Sequence, residues 1–160
     1  FRKCERINDW PGDISFWYSH GEYAEDYLAS LANWTLVSDR VKSILEDYST
    51  VDAQFLPVKV FLKASKVEVG RYWALNVLRY VEALDWDKTI WSKPNPSEQE
   101  HPALSVLREA LIWEQVKKVD IFRLWIRGMD NAAIYISLRL KRSLERAKVT
   151  GFYFMPVWAY

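Results

Sequence analysis

The sequence predicts an α+β fold: a single domain over residues 1–160, with one mixed, mainly antiparallel sheet and a duplicated strand–helix–strand unit. Three observations support this class. One stretch of the chain occurs twice, each copy reads as strand, helix and strand, and the remaining predicted elements do not alternate regularly. The length of 160 residues and an apolar content of 50% suit one domain that fills a hydrophobic core.

The duplicated stretch covers residues 38–58 and 137–157. With a constant offset of 99 and no gap, eight of the 21 aligned positions are identical. About one or two identities are expected between unrelated stretches, so this is an internal repeat. The repeats span about residues 34–60 and 133–159. The identical pairs are Ser38/Ser137, Arg40/Arg139, Lys42/Lys141, Leu45/Leu144, Glu46/Glu145, Phe55/Phe154, Pro57/Pro156 and Val58/Val157.

Each repeat is predicted to begin with a strand and a helix. Residues 34–37 and 133–136 are rich in β-branched and aromatic residues, as is typical of buried strands. Ser38 and Ser137 follow at the N-cap position, where a hydroxyl accepts from an amide of the first helical turn. Apolar residues then recur on one helical face in each repeat: Val41, Ile44, Leu45 and Tyr48 in the first, and Leu140, Leu144 and Ala147 in the second.

The end of each repeat is predicted to be a second strand, over residues 54–60 and 153–158. Gly151 suits a left-handed C-cap of the second helix. Pro57 and Pro156 each remove a ladder donor, so we expect these strands at a sheet edge or at a bulge.

Outside the repeats the prediction rests on periodicity and turn residues. Residues 103–113 fit a helix but also allow a strand at their end. The other predicted elements are a strand at 13–18, a helix at 22–31, a hairpin over 61–75, a helical turn at 77–84 capped by Asn76, a loop at 86–101, a strand at 121–126 and a turn at 127–131.

The composition limits the classes of partner. The formal net charge is +1 with acids and bases interspersed, so no electrostatic footprint for nucleic acid or an anionic membrane is present. No apolar run approaches the length of a membrane span. The single cysteine, Cys4, excludes an intramolecular disulfide and favours a reducing compartment, so we expect a cytoplasmic protein. The chain starts at Phe1, which leaves open an upstream segment such as a secretion signal.

No pattern in the chain predicts a catalytic, metal or cofactor site. The five glycines are too far apart for a phosphate-binding loop, and two histidines with one cysteine give no zinc-ligand spacing. The Ser-x-Arg step at Ser38/Arg40 and Ser137/Arg139 has two interpretations. The arginines could bind an anion near the helix N-terminus, or they could tie each helix to neighbouring strands or to the other repeat. Duplication favours the structural interpretation.

The chain resembles a bacterial immunity-protein family, Imm11, named for a myxobacterial prototype. The resemblance rests on the stretch from Ile134 to Val157, on Tyr72-Trp73-Ala74-Leu75-Asn76-Val77 running to Trp86, and on Ile121-Phe122-Arg123. It covers most of the chain from about residue 34. Leu138 departs from the pattern, standing where an acidic residue is usual, and residues 94–101 match nothing in it.

The resemblance implies a non-enzymatic protein that binds and neutralises a cognate toxin encoded beside it. It also implies the setting of polymorphic toxins, contact-dependent competition and type VI secretion. Nine Trp, nine Tyr and seven Phe suit such binding, because large aromatics anchor interfaces as well as cores. We expect toxin contacts on the loop with Trp86, Asp87, Lys88 and Trp91, or on the rival N-terminal cluster of Trp10, Phe16, Trp17 and Tyr18.

Three other classes remain as alternatives. A homodimeric scaffold would pair copies through a flat apolar patch, for example at the strand of Pro57 or Pro156. A small enzyme would show a deep polar pocket with perturbed pKa values. A nucleic-acid binder would gather lysines and arginines on one face with aromatics between them, and the interspersed charges make this the weakest of the three.

Overall fold

The computed structural model describes residues 3–19, 23–30, 34–92, 106–126 and 133–160. These parts of the chain form strands and helices in irregular alternation, which confirms the α+β class. None of the helices found there is long and apolar enough to span a membrane. The strands are β1 (Ser15–Tyr18), β2 (Tyr27–Ala29), β3 (Thr35–Ser38), β4 (Ala53–Leu62), β5 (Tyr72–Val77), β6 (Tyr80–Val81), β7 (Ile90–Trp91), β8 (Val106–Arg108), β9 (Ala110–Leu111), β10 (Ile121–Leu124), β11 (Tyr135–Ile136) and β12 (Trp158–Ala159), and the helices are α1 (Asp39–Glu46), α2 (Trp113–Val116) and α3 (Leu138–Arg146).

The largest sheet has five strands in the order β1-β4-β5-β3-β2. Only β1 and β4 run parallel, and the other neighbours are antiparallel, which confirms a mixed, mainly antiparallel sheet. The hairpin predicted over residues 61–75 is present, since β4 turns back into β5. Smaller sheets follow in the orders β11-β10-β6, β12-β9 and β7-β8.

The structure repeats more strands than the two copies recognised in the sequence contain. In the first unit β1 pairs parallel with β4, and Ser15 lies opposite Lys59. In the second unit β9 pairs parallel with β12 in the same way, with Ala110 opposite Trp158. The antiparallel pair β2–β3 likewise matches the pair β10–β11. The first unit is therefore β1-β2-β3-α1-β4, and the second is β9-β10-β11-α3-β12.

The two helices pack against each other in a shared core. Each contributes the two apolar positions that the periodicity predicted, Val41 and Leu45 from α1 and Leu140 and Leu144 from α3. All four side chains are fully buried. The hydrophobic effect therefore joins the two units at their helices, because separating them would expose both stripes to water.

The prediction of a sheet edge or a bulge at Pro57 is wrong, because β4 lies between β1 and β5 and its register on β5 is regular. β1 does not extend as far as Pro57, however, so this residue has a neighbour on one side only. The register of β1 on β4 begins only at Lys59, and the amides of Lys59 and Lys63 point toward β1. Residue 57 is two positions before Lys59, so its backbone nitrogen points to the same side of β4. β1 does not extend that far, and the missing N–H of Pro57 therefore removes no hydrogen bond between strands. The carbonyl oxygen of Pro57 accepts a hydrogen bond from the indole of Trp10 at 2.9 Å.

Two predicted helices are wrong. Within the helix predicted at 22–31, residues 27–29 form the strand β2 instead. Their hydrogen-bonded pairing with β3 outweighs the weak helical periodicity of this stretch. Asn76 does not cap a helix but is fully buried in β5, where its amide donates to the carbonyl oxygen of Glu5 at 2.9 Å. Of the alternatives open for residues 103–113, the described part forms the short strands β8 and β9. The turn predicted at 127–131 lies outside the described residues.

The end of the second repeat differs from the prediction in three ways. Helix α3 has its C-cap at Ala147, and the left-handed residue after it is Lys148, with φ of 52°. Gly151 also has positive φ, 83°, but it lies beyond the cap, so its predicted capping role is wrong. An added Cβ on Gly151 would lie 2.3 Å from the carbonyl oxygen of Tyr27, so this position requires glycine because two chain segments cross there. The predicted strand at 153–158 is reduced to the two paired residues of β12, and Pro156 precedes it.

Candidate functional site

The two Ser-x-Arg steps make related contacts in the two units, and the arginine contact is closer in the second. Ser38 caps α1 by accepting from the amide of Val41, and its hydroxyl donates to Asp26 at 2.7 Å. Arg40 lies 3.8 Å from the same carboxylate. These contacts tie the start of α1 to the residue that precedes β2.

In the second unit Asp120 takes the place of Asp26. Ser137 caps α3 and donates to Asp120 at 2.5 Å, and Arg139 binds that carboxylate through two nitrogens. Burial alone would raise the pKa of Asp120, but hydrogen bonds from Arg139, Ser137 and Thr50 outweigh it and lower the pKa to about 2. Each arginine therefore pairs with a carboxylate of its own unit.

A cavity of about 390 Å³ lies at the start of α1, lined by Arg40, Arg71 and Tyr72 among others. Burial, followed by the charge of Asp26, raises the pKa of Tyr72 to about 12. Its hydroxyl donates to the carbonyl oxygen of Glu25 at 2.7 Å. Tyr72 therefore keeps its proton near neutral pH and cannot serve as a general base there.

Other candidates for chemistry are weak. Burial raises the pKa of the Cys4 thiol, which disfavours the thiolate that a nucleophilic cysteine needs. His20 and His101, the histidines that could accompany it, lie outside the described residues. Within the described ranges no group of three His, Cys, Asp or Glu residues is placed to hold a metal ion.

The N-terminal aromatic cluster is mostly core. Trp10 and Phe16 both contact Trp34, with ring centroids 5.3 and 5.7 Å apart, and Tyr18 packs on the same hydrophobic cluster. Trp17 differs, because it points away from that core and stacks on Phe61 at 5.2 Å. It is 58% exposed. This region therefore offers one accessible tryptophan.

The tryptophans of the predicted loop stack on each other. The rings of Trp86 and Trp91 lie 5.0 Å apart at an interplanar angle of 16°. Trp91, in β7, is half-buried against the core of the second unit, while Trp86 is 53% exposed. Trp86 therefore stacks on the half-buried ring of Trp91 while about half of its own surface faces solvent.

Asp85 fixes the turn that carries Trp86. Its carboxylate accepts from the amide of Lys88 at 3.1 Å and pairs with the Lys88 ammonium at 3.1 Å, and the hydrogen bond from Lys88 lowers the pKa of Asp85. Asp87 is exposed within the turn. The sequence analysis did not single out Asp85, although aspartate is a favoured first residue of a turn.

The C-terminal residues extend this aromatic region. The ammonium of Lys88 lies 4.8 Å from the centre of the Tyr160 ring, a cation–π contact. The carbonyl oxygen of Tyr160 accepts from the amide of Trp113 at 2.8 Å. Trp158 is paired with Ala110, whose carbonyl oxygen also accepts from Asp85. We call the exposed side chains of Trp86, Lys88, Trp113, Trp158 and Tyr160 the aromatic surface.

Of the eight residues named in the two alternative toxin-contact regions, the four of the loop lie together: Trp86, Asp87, Lys88 and the supporting Trp91. Trp10 and Trp17 lie on the other unit. Trp113, Trp158 and Tyr160 were missed. The repeat itself holds a signal for Trp158, because its counterpart in the first repeat is a lysine, Lys59, and lysines are mostly exposed.

Exposed tryptophan and tyrosine side chains are enriched at surfaces that bind other proteins. The sequence model of an immunity protein family (Imm11) matches residues 2–159 of the chain. The chain belongs to this family, and its membership indicates a function in toxin immunity. A comparison with the curated proteins gives no match.

Proposed function

We propose that this protein neutralises a cognate toxin by binding it through the aromatic surface. The observation that carries the proposal is the stacked pair of Trp86 and Trp91, because stacking on Trp91 restricts the rotamers open to a large exposed ring. A side chain with fewer rotamers to lose gives up less conformational entropy on binding, so more of its burial appears as affinity. Binding hot spots are rich in tryptophan and tyrosine for the same reasons.

The neighbouring groups suit a protein partner. Lys88 is held beside Tyr160 at the edge of the surface, where a charge can pair with the partner at the rim. Trp113 and Trp158 add further exposed aromatic area at more than 50% exposure each. A central set of aromatics with a charged rim is the arrangement found in stable protein interfaces.

We infer that protection needs no catalysis by this chain. The two repeated arginines are engaged by Asp26 and Asp120, and Tyr72 keeps its proton. Toxin and immunity protein would meet in the cytoplasm, where a free thiol such as Cys4 stays reduced.

The test begins with co-purification of the tagged protein from its source bacterium and identification of a partner whose expression alone is toxic. The affinity of that toxin is then measured by calorimetry for Trp86→Ala and Trp17→Ala. The two tryptophans are matched, since each is more than half exposed and stacks on one ring about 5 Å away. We expect Trp86→Ala to weaken binding by at least about 30-fold, as for a hot-spot tryptophan, and Trp17→Ala to leave it within about twofold.

The opposite result would move the interface to the N-terminal cluster and overturn this surface. A partner that is not toxic, or whose toxicity the protein does not suppress, would overturn the function itself. Both variants should keep the unfolding midpoint of the parent within a few degrees, because neither ring lies in the core.

A further inference from the structure

The two units differ at one strand position. In the first unit β4 has neighbours on both edges, β1 on one and β5 on the other. β5 lies between β4 and β3, with Phe55 opposite Leu75 and Pro57 opposite Trp73. β5 thus joins the pair β1–β4 and the pair β2–β3 of the first unit into one sheet.

In the second unit the counterpart of β5 is missing from the described structure. β12 pairs with β9, which corresponds to β1, and β11 is the last strand of the sheet β11-β10-β6. No backbone hydrogen bond joins residues 152–157 to any other described residue. The backbone N–H and C=O groups of residues 152–157 on the side that corresponds to β5 therefore form no hydrogen bonds with any described strand.

Residues 152–157 already have the alternation of a strand. Phe152 packs on Tyr27 at 4.7 Å and Phe154 stacks on Phe152 at 5.4 Å, both toward the core. Tyr153 and Met155 point outward and are 88% and 74% exposed. The inward phenylalanines hold the segment in place while its outward side chains remain uncovered.

The direction of the amides follows from the repeat. In β4 the amides of Lys59 and Lys63 point to β1, and the amide of Leu62 points to the opposite, returning segment. Leu56 is an even number of positions from Leu62 in the same strand, so its N–H group points to the same side, toward β5. Its counterpart Met155 therefore directs an amide toward the unpaired edge. Pro156, like Pro57, lies where the missing amide faces away from that edge.

We propose that an extended strand of the toxin docks antiparallel along residues 152–157, as β5 pairs along β4 in the first unit. This inference rests on the proposed function, because it takes the toxin as the partner. The segment leads directly into Trp158 and Tyr160 of the aromatic surface, so one partner can cover both. Main-chain bonds to the edge supply affinity, and the outward side chains on either side of Met155 supply selectivity.

The experiment compares Met155→Pro with Met155→Ala, using the toxin identified by co-purification. Both variants lose the methionine side chain, but only the proline variant loses the amide that faces the unpaired edge. We expect Met155→Pro to bind the toxin at least about tenfold more weakly than Met155→Ala, since a buried partner carbonyl is left without its donor. Equal affinities of the two variants would overturn the docked strand.

Hydrogen exchange on the parent protein gives a test that does not depend on the folding of a proline variant. The amides of Tyr153, Met155 and Val157 should exchange rapidly in the free protein and slow by at least about tenfold in the toxin complex. The amide of Phe154, which faces the other way, should change less. Protection of these amides in the free protein, with a dimeric mass in sedimentation, would show that a second copy occupies the edge and would overturn the toxin strand.

The outcomes separate this inference from the proposed function. If Trp86→Ala weakens the complex but these amides stay unprotected, the toxin binds through the aromatic surface without adding a strand, and only this inference fails. If no toxin complex forms, both fail together.

Discussion

Thr50 of the first unit donates a hydrogen bond to the carboxylate of Asp120 in the second unit. Thr150 of the second unit makes the reverse contact, its backbone amide donating to Asp26 of the first unit at 3.0 Å. Each unit thus completes the carboxylate network of the other. Such reciprocal contacts are what a two-fold relation between like parts produces.

Replacing Thr50 by valine should destabilise the protein by about 2 kcal/mol, because a buried carboxylate loses a donor while the side-chain volume is kept. Thr150→Val should cost less, about 1 kcal/mol or below, since the Thr150 amide continues to bind Asp26. Urea unfolding measures both, with the exposed Asp87→Asn as a control that changes little. Equal effects of the two valine substitutions would contradict the role assigned to the Thr50 hydroxyl.

Asp120 should make stability depend on acid pH. Its pKa is lowered to about 2 in the folded protein, against about 3.9 when unfolded. Its contribution, about 2 kcal/mol, is therefore complete above about pH 5, declines as the pH falls below the unfolded pKa of about 3.9, and is lost as the pH falls through 2. Unfolding free energies measured from pH 6 to pH 2 should fall less steeply for Asp120→Asn than for the parent. Parallel pH profiles would show that Asp120 is not the responsible group.

Gly151→Ala should destabilise strongly, by more than about 2 kcal/mol, because the new Cβ would meet the carbonyl oxygen of Tyr27 at 2.3 Å. Gly70→Ala is the matched control. Gly70 also has positive φ, 50°, but an added Cβ meets nothing within 4 Å. We expect Gly70→Ala to lower the free energy of unfolding by about 1 kcal/mol, because only the left-handed backbone conformation disfavours alanine there. The two thermal midpoints should differ by several degrees, and similar midpoints would mean that the crossing of the chain at Tyr27 is not tight.

Lys148→Gly should stabilise the protein by about 0.5–1 kcal/mol. Lys148 holds the left-handed position after α3, which is costly for a residue with a Cβ and favourable for glycine. Its side chain is exposed, so little packing is lost. The measurement is the urea midpoint at constant slope, and Lys118→Gly, an exposed position with no positive φ, should show no such gain.

The sequence predicts the repeated helices and their caps well because their signals are local. A serine followed by an amphipathic stretch defines Ser38 and Ser137 without reference to the rest of the chain. Identical pairs such as Lys42/Lys141 also make the same contacts, each lysine reaching a glutamate four residues later and the ring of Phe55 or Phe154.

The outer strands of the units could not be found in this way. The offset between counterparts is 99 at Ser38 and Ser137 but 94 at Asp26 and Asp120, so an alignment without gaps loses the match before the helices. β2 is three residues long and owes its structure to its pairing with β3 rather than to its own propensity.

Only part of the aromatic surface, the part in the loop around Trp86, could be predicted from the sequence. Trp86 and Lys88 stand in a turn-rich stretch, which favours exposure. Trp113 and Tyr160 are 47 positions apart and meet only because β9 and β12 pair. Contacts across that distance follow from the sheet and not from a local pattern, so they escaped the sequence reasoning.

The exchange of donors between Thr50 and Asp120, and between Thr150 and Asp26, has a consequence for how such a chain could arise. A peptide carrying only one unit would satisfy its aspartate only by pairing with a second copy, as in a symmetric dimer. Joining two units in one chain makes that pairing independent of concentration. It also frees each half to diverge: among the described residues β5 pairs with β4 of the first unit, and no corresponding strand pairs with β12 of the second.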